Sequence, residues 1–294
     1  MSDSHEQDYR GAAGVGATRF LPGTQIEIVR EVRLEQPPRF AVFDFDGTLS
    51  LIREGWQDVM VPMLVEVLRE TGTRETDEEL TALVSRFVTE LTGKQTIYQM
   101  LRLAEEVRAR GGTPHEPVVY KHEYHVRLMR RIGSRREALR SGATAADGLL
   151  VPGSIELLAA LRDRGVELFL ASGTDETCVR EESELLGLTP FFGGHIYGAV
   201  DDYRRFSKQL VIERILRENQ VAGARLIGFG DGYVEIENTK AAGGSAVGVA
   251  SDEAGRSGRA DPWKRERLIG IGADIVVPDF QDYARLLEYL WAGC

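Results

Sequence analysis

Cysteine is nearly absent. The 294-residue sequence has two, Cys178 and Cys294, far apart in the chain. Such spacing builds neither a metal site nor a disulfide framework, so a reducing, cytoplasmic setting is expected. No apolar run approaches the roughly 20 residues needed to cross a bilayer. The polar stretch Met1–Thr18 lacks the basic start and apolar centre of a secretory signal. Positive charge is also in deficit, with 36 Lys and Arg against 46 Asp and Glu, a net charge of −10. That excludes a nucleic-acid polymer or a membrane surface as the expected partner, since both attract a positive face. A small anionic ligand in a locally positive pocket remains compatible. Gly228, Gly230 and Gly232 lack the G-x-G-x-x-G spacing of a dinucleotide loop, and the early "GAAGVG" has no strand before it. What remains, 43% hydrophobic and 28% charged residues, is the composition of a globular protein with a sizeable core.

The first 19 residues read as a disordered tail. "TQIEIVREVRL" (Thr24 to Leu34) partly alternates apolar and polar residues, as a short strand or hairpin does. From Val151 onward, short apolar strands alternate with helices. "SIELLAALRDRG" is a predicted helix with Ser154 as its N-cap, and "SKQLVIERILREN" is one capped by Ser207. "VELFLASG", "ARLIGFGDG", "SAVGVAS" and "ADIVVPD" are predicted strands, and "DETCVREESELLG" and "QDYARLLEYLW" further helices. This rhythm defines an α/β protein whose mainly parallel sheet is covered on both faces. Residues 51–150 break it with helical apolar spacing throughout. The expected division is therefore a tail at 1–19, an α/β core at 20–50 and 151–294, and a helical insert at 51–150. Such an insert stands over the sheet edge where parallel sheets bind ligands.

At that edge, "FAVFDFDGTLS" places Asp44 and Asp46 one residue apart directly after an apolar strand. Buried like charges repel at considerable cost. Strand ends further along that edge add "SGT" at 172–174, Lys208, and "GDG" at 230–232 with Glu235 four residues after Asp231. Convergence of Asp44, Asp46 and Asp231 is tolerable around a hard dication such as Mg²⁺, which takes oxygen ligands and keeps carboxylates ionised. In this reading Asp44 attacks phosphorus to form an aspartyl-phosphate. Asp46 protonates the leaving oxygen and then activates water. Gly47 lets the backbone turn sharply beside the phosphate, while Ser172, Gly173 and Lys208 hold phosphoryl oxygens.

Asp-Phe-Asp-Gly-Thr, Ser-Gly-Thr, a later lysine and Gly-Asp-Gly-x-x-Glu, in that order, resemble the four motifs of the haloacid dehalogenase-like hydrolase superfamily. The resemblance implies a Rossmann-like core, a Mg²⁺ cofactor, a small-molecule phosphate ester as substrate, and a helical C1-type cap like that of phosphoglycolate phosphatases. The ligand set it implies is Asp44, the Asp46 carbonyl and Asp231, with Thr48 and Glu235 beside them. Many members carry an aspartate where this chain has Glu235, so that residue is either a direct ligand or a neighbour of one. Asp46 favours phosphoryl transfer over dehalogenation, and the Lys-Thr-Gly-Thr continuation of ion pumps is missing. Hydrolysis of a sugar phosphate, a nucleotide or a phosphoglycolate-type ester is the leading reading. A phosphomutase, a phosphonate-cleaving enzyme with a cap lysine, and a non-catalytic binding module are the alternatives.

Within the insert, Arg53 and the "TGKQT" turn with Lys94 and Gln95 are the expected specificity residues. "RLMRRIGSRREALR" carries six arginines on a predicted solvated face. Trp56, Tyr98, Tyr120 and Tyr124 are expected in the core of the insert.

Overall fold

A computed structural model describes residues 17–200, 203–219 and 223–293. The expected tail lies outside the described residues up to position 16. Arg19, placed in that tail, instead begins the short strand β1 (Arg19–Phe20), which pairs antiparallel with β2 (Glu27–Ile28). Only these two residues of the predicted strand at Thr24–Leu34 are extended in the sheet. Strand β3 (Phe40–Phe43) is buried along its whole length, as its FAVF sequence demands.

Four helices follow: α1 (Gln57–Arg69), α2 (Asp77–Glu90), α3 (Thr96–Ala109) and α4 (Pro117–Arg140). The start of α2 is fixed by a reciprocal box, in which Thr76 accepts from the Glu79 N–H and the Glu79 carboxylate accepts from the Thr76 N–H. The chain then alternates through α5 (Ser154–Asp163), β4 (Glu167–Asp175), α6 (Glu176–Leu185), α7 (Thr189–Phe192), β5 (Ile196–Ala199), α8 (Lys208–Asn219) and β6 (Leu226–Gly230). It ends with α9 (Tyr233–Ala241), β7 (Ser245–Val249), α10 (Pro262–Ile271), β8 (Ile275–Val277) and α11 (Tyr283–Trp291). Of these, β5, α7, α9 and α10 were not anticipated from the sequence. The first two are only four residues long, and α10 starts from Asp261 and Pro262 without a marked apolar stripe.

The sheet order is β1-β2-β8-β7-β6-β3-β4-β5, and every pair from β8 to β5 is parallel. After β3 the chain builds β4 and β5 on one side, then β6, β7 and β8 on the other. The order therefore reverses at β3, so the crevice outside its carboxyl end is the expected ligand position for such a sheet. Phe43 stacks on Phe229 of the neighbouring strand at 4.4 Å between ring centroids, holding the strand ends level just below that crevice. The architecture is thus a Rossmann-like α/β core with an inserted helical domain.

The insert leaves and rejoins the core through two segments that bond to each other. The Leu51 N–H donates to the Leu149 carbonyl at 2.8 Å, and the Val151 N–H to the Leu49 carbonyl at 2.9 Å. Just after this ribbon, the cap of α5 differs from expectation. Gly153 is the N-cap residue, because the Ser154 hydroxyl turns back to donate to the Val151 carbonyl at 2.6 Å. Gly153 has φ of +80°, and a Cβ there would lie 2.3 Å from the Phe280 carbonyl group. Ser207 does cap α8, accepting from the Leu210 N–H at 3.1 Å. Gly153→Ala is therefore expected to cost about 2 kcal/mol or more, combining a left-handed backbone with a main-chain clash. A thermal melt within a degree of wild type would show that the Phe280 segment yields freely.

Candidate functional site

Asp44 follows the last residue of β3, and its N–H donates to the Phe229 carbonyl of β6 at 2.9 Å. Pairing places Phe43 level with Leu170 and Phe229, so Ser172 and Asp231 emerge just beyond Asp44 on either side. These groups face one cavity of about 100 Å³ whose walls include Asp44, Asp46, Ser172, Gly173, Lys208 and Asp231. Strand register thus brings Ser172 and Asp231 beside Asp44, though they are far apart in sequence.

Asp44 is buried. One carboxylate oxygen accepts from the Phe45 N–H at 2.7 Å and from the Lys208 ammonium at 2.8 Å. Lys208 also contacts Glu235, on the first turn of α9, so Glu235 stands behind the lysine. Burial raises the Asp44 carboxyl above its usual range, and nearby Asp231 adds to that effect against the pull of Lys208. Asp46 accepts from the Thr174 hydroxyl at 2.8 Å and lies 3.7 Å from Arg53. Burial pushes the Asp46 carboxyl to about 7, with Arg53 opposing the rise. Its other oxygen, Oδ1, is buried without a hydrogen-bond partner.

The Thr48 hydroxyl accepts from the Asp231 N–H at 3.0 Å and so fixes the start of the last motif. Gly47, with φ of +71°, brings the first motif against the last: a Cβ there would sit 2.2 Å from Asp231 Oδ2. Asp231 Oδ2 in turn accepts from Lys264 at 2.8 Å. Among the described residues no group of three His, Cys, Asp or Glu side chains is arranged to hold a metal. Asp44 and Asp231, both on the cavity wall, offer a sparser set of hard oxygens. That set suits Mg²⁺, which keeps several waters and few protein ligands.

The insert closes over these groups. A Cβ on Gly173 would meet the Lys94 carbonyl at 2.8 Å, so the TGKQT turn lies directly on the end of β4. Lys94 lines the cavity with its ammonium 5.4 Å from the centre of the Tyr98 ring. Gln95 does not line it, contrary to its expected substrate contact. Its amide donates to the carbonyls of Tyr203 and Phe206, at 3.1 and 2.7 Å, and fastens the turn to the core. Arg53 does face the cavity, yet its guanidinium donates twice, at 2.9 Å each, to the fully buried Glu182 of α6. Trp56, Met60, Gln99 and Tyr124 complete the insert's side of the wall. Most arginines of α4 pair with acids: Arg127 with Glu66, Arg131 with Asp58, Arg135 with Glu54 of the cavity wall, and Arg136 and Arg140 with Glu181.

Thr174, Glu182, Glu253 and Lys264 were not anticipated as parts of the site. Thr174 stood inside a quoted motif without a role. The other three lie outside any motif; Glu182 meets Arg53 across 129 positions and Lys264 meets Asp231 across 33.

The profile of the haloacid dehalogenase-like hydrolases matches residues 38–243. The chain belongs to that family. No curated protein matches it. Among solved structures, a haloacid dehalogenase-like protein from Agrobacterium tumefaciens is similar at 18% identity and a TM-score of 0.53, with 84% of this chain and 96% of that one covered. A family hydrolase from Deinococcus radiodurans, solved with phosphate and sodium, is similar at 19% identity and a TM-score of 0.51, covering 86% and 96%. A β-phosphoglucomutase from Clostridium difficile is similar at 14% identity and a TM-score of 0.56, covering 86% and 97%. Likeness at these identities speaks for the fold alone.

The Arg53–Glu182 pair generates a stability prediction. Glu182→Gln leaves Arg53 buried against a neutral partner, and the expected cost is about 3 kcal/mol in chemical denaturation. A loss below about 1 kcal/mol would mean that Asp46 takes over as the counter-charge.

Proposed function

We propose that this protein is a phosphoric monoester hydrolase acting on a small-molecule phosphate ester, such as a sugar phosphate, a nucleotide or a phosphoglycolate-type compound. The observation that carries this reading is the convergence of Asp44, Asp46, Ser172, Lys208 and Asp231 on one cavity beneath the insert. An Asp44 oxygen attacks phosphorus while the ester P–O bond breaks, and Asp46 delivers its proton to the departing oxygen. Asp46 then takes a proton from water as that water attacks the phosphorus, releasing phosphate and restoring Asp44. The Thr174 hydroxyl holds Asp46 in place for both transfers.

Lys208, Ser172 and the main chain at Gly173 stabilise charge on the phosphoryl oxygens. Asp44, the Asp46 carbonyl and Asp231 would hold Mg²⁺, with Thr48 and Glu235 orienting the groups around it. Bound there, Mg²⁺ supplies positive charge that offsets the repulsion between an anionic nucleophile and an anionic phosphate. The insert excludes bulk water, and Arg53 and Lys94 shape the end of the cavity that receives the leaving group.

A panel of phosphate esters assayed for phosphate release, with Mg²⁺ and with chelator, tests the reading. Asp44→Asn is expected to lower turnover of the best substrate by about 10³-fold or more, with the circular dichroism spectrum unchanged. A variant retaining a tenth of wild-type turnover would remove Asp44 as the nucleophile.

A further inference from the structure

Lys264 lies outside the segment that the family profile matches, residues 38–243, and nothing in the proposed reaction uses it. Its ammonium is nonetheless fixed among three oxygens. It donates to Asp231 Oδ2 at 2.8 Å, to Glu253 Oε1 at 2.6 Å and to the Ser251 hydroxyl at 3.1 Å. These saturate the three donors of a lysine. Ser251 passes the contact on, since its own hydroxyl donates to the Gly47 carbonyl at 2.6 Å. Asp231 and Glu253 both line the cavity, whereas Lys264 stands behind them.

The backbone that carries Lys264 is itself anchored. Asp261 caps α10 by accepting from the Lys264 N–H at 2.8 Å, and Pro262 opens the helix. A cation in the first turn of a helix runs against the helix dipole. The acids it meets repay that cost, and they outweigh burial in holding Lys264 above the ordinary lysine range. Two carboxylates and a hydroxyl facing one point are also the hard-oxygen surroundings of a divalent ion. Asp231 could then bridge two such ions, as carboxylates do in two-metal sites.

We propose that Lys264 is a built-in cation, whose ammonium fills a second cation position between Asp231, Glu253 and Ser251 so that the site takes one divalent ion instead of two. The proposal rests on the reading that Asp44 and Asp231 hold a divalent metal. Lys264 is a positioning residue: it fixes the Asp231 carboxylate that would hold the metal and, through Ser251, ties the Gly47 turn to the last motif.

Binding of Mn²⁺ to the full chain, counted by electron paramagnetic resonance without substrate, tests this independently of turnover. Wild type is expected to bind one ion, Lys264→Met two, and Lys264→Met with Glu253→Gln one again. No ion on wild type would overturn the metal reading itself. One ion on both wild type and Lys264→Met would overturn the role of Lys264 alone. If Lys264→Met is unfolded in chelator, recovery of its thermal transition on adding Mn²⁺ supports the proposal. Failure to recover at saturating Mn²⁺ shows that a divalent ion cannot replace the ammonium, and overturns it.

Discussion

Asp44 and Asp231 emerge from adjoining parallel strands with little solvent between or around them, and their repulsion must be answered locally. Three side-chain cations provide the answer, each from a different part of the chain. Lys208 from α8 meets Asp44, Lys264 from α10 meets Asp231, and Arg53 at the root of the insert approaches Asp46. Because a desolvated charge without a partner is so costly, these contacts dictate how α8, α10 and the insert sit against the sheet edge. The polar ends of otherwise apolar strands are therefore the origin of much of the arrangement above the sheet.

The insert is held to the core by polar ties around its rim. Lys121 reaches Asp175, and Arg267 of α10 donates to the carbonyls of Thr89 and Glu90. Gln95 bonds the core segment before α8 from inside the TGKQT turn. Beneath these ties the apolar cores are continuous, since the largest cluster joins Met60, Leu103 and Leu128 of the insert to Phe43 and Phe229 of the sheet. Opening the cavity by rotation about the Ser50–Leu150 ribbon would break contacts of both kinds. Polar ties exchange for water at small net cost, whereas an apolar seam does not. The rim contacts are thus the parts of this interface suited to repeated opening.

Glycine serves this site through close approach. At Gly47 it lets the first motif touch the last, and at Gly173 it lets the insert's main chain lie on β4. A methyl group at either position would push away the Asp231 carboxylate or the Lys94 carbonyl.

The parallel sheet, the helical character of residues 57–140 and the grouping of Asp44, Ser172, Lys208 and Asp231 were legible in the sequence. Apolar runs of strand length and helical spacing are local signals, and chemistry at the ends of parallel strands must converge wherever those strands pair. The short β5 and α7 carried too little pattern to be read. Of the insert residues expected at the substrate, Arg53 and Lys94 do line the cavity and Gln95 does not; what each of them binds was decided only by the tertiary structure. Gln95 and Arg53 carry polar side chains suited to a ligand, yet Gln95 is taken up by main-chain carbonyls and Arg53 by Glu182. Lys264 was equally invisible, being 33 residues from Asp231 and outside any motif. A side chain's partner depends on which remote groups the fold desolvates beside it, and spacing along one chain does not encode that.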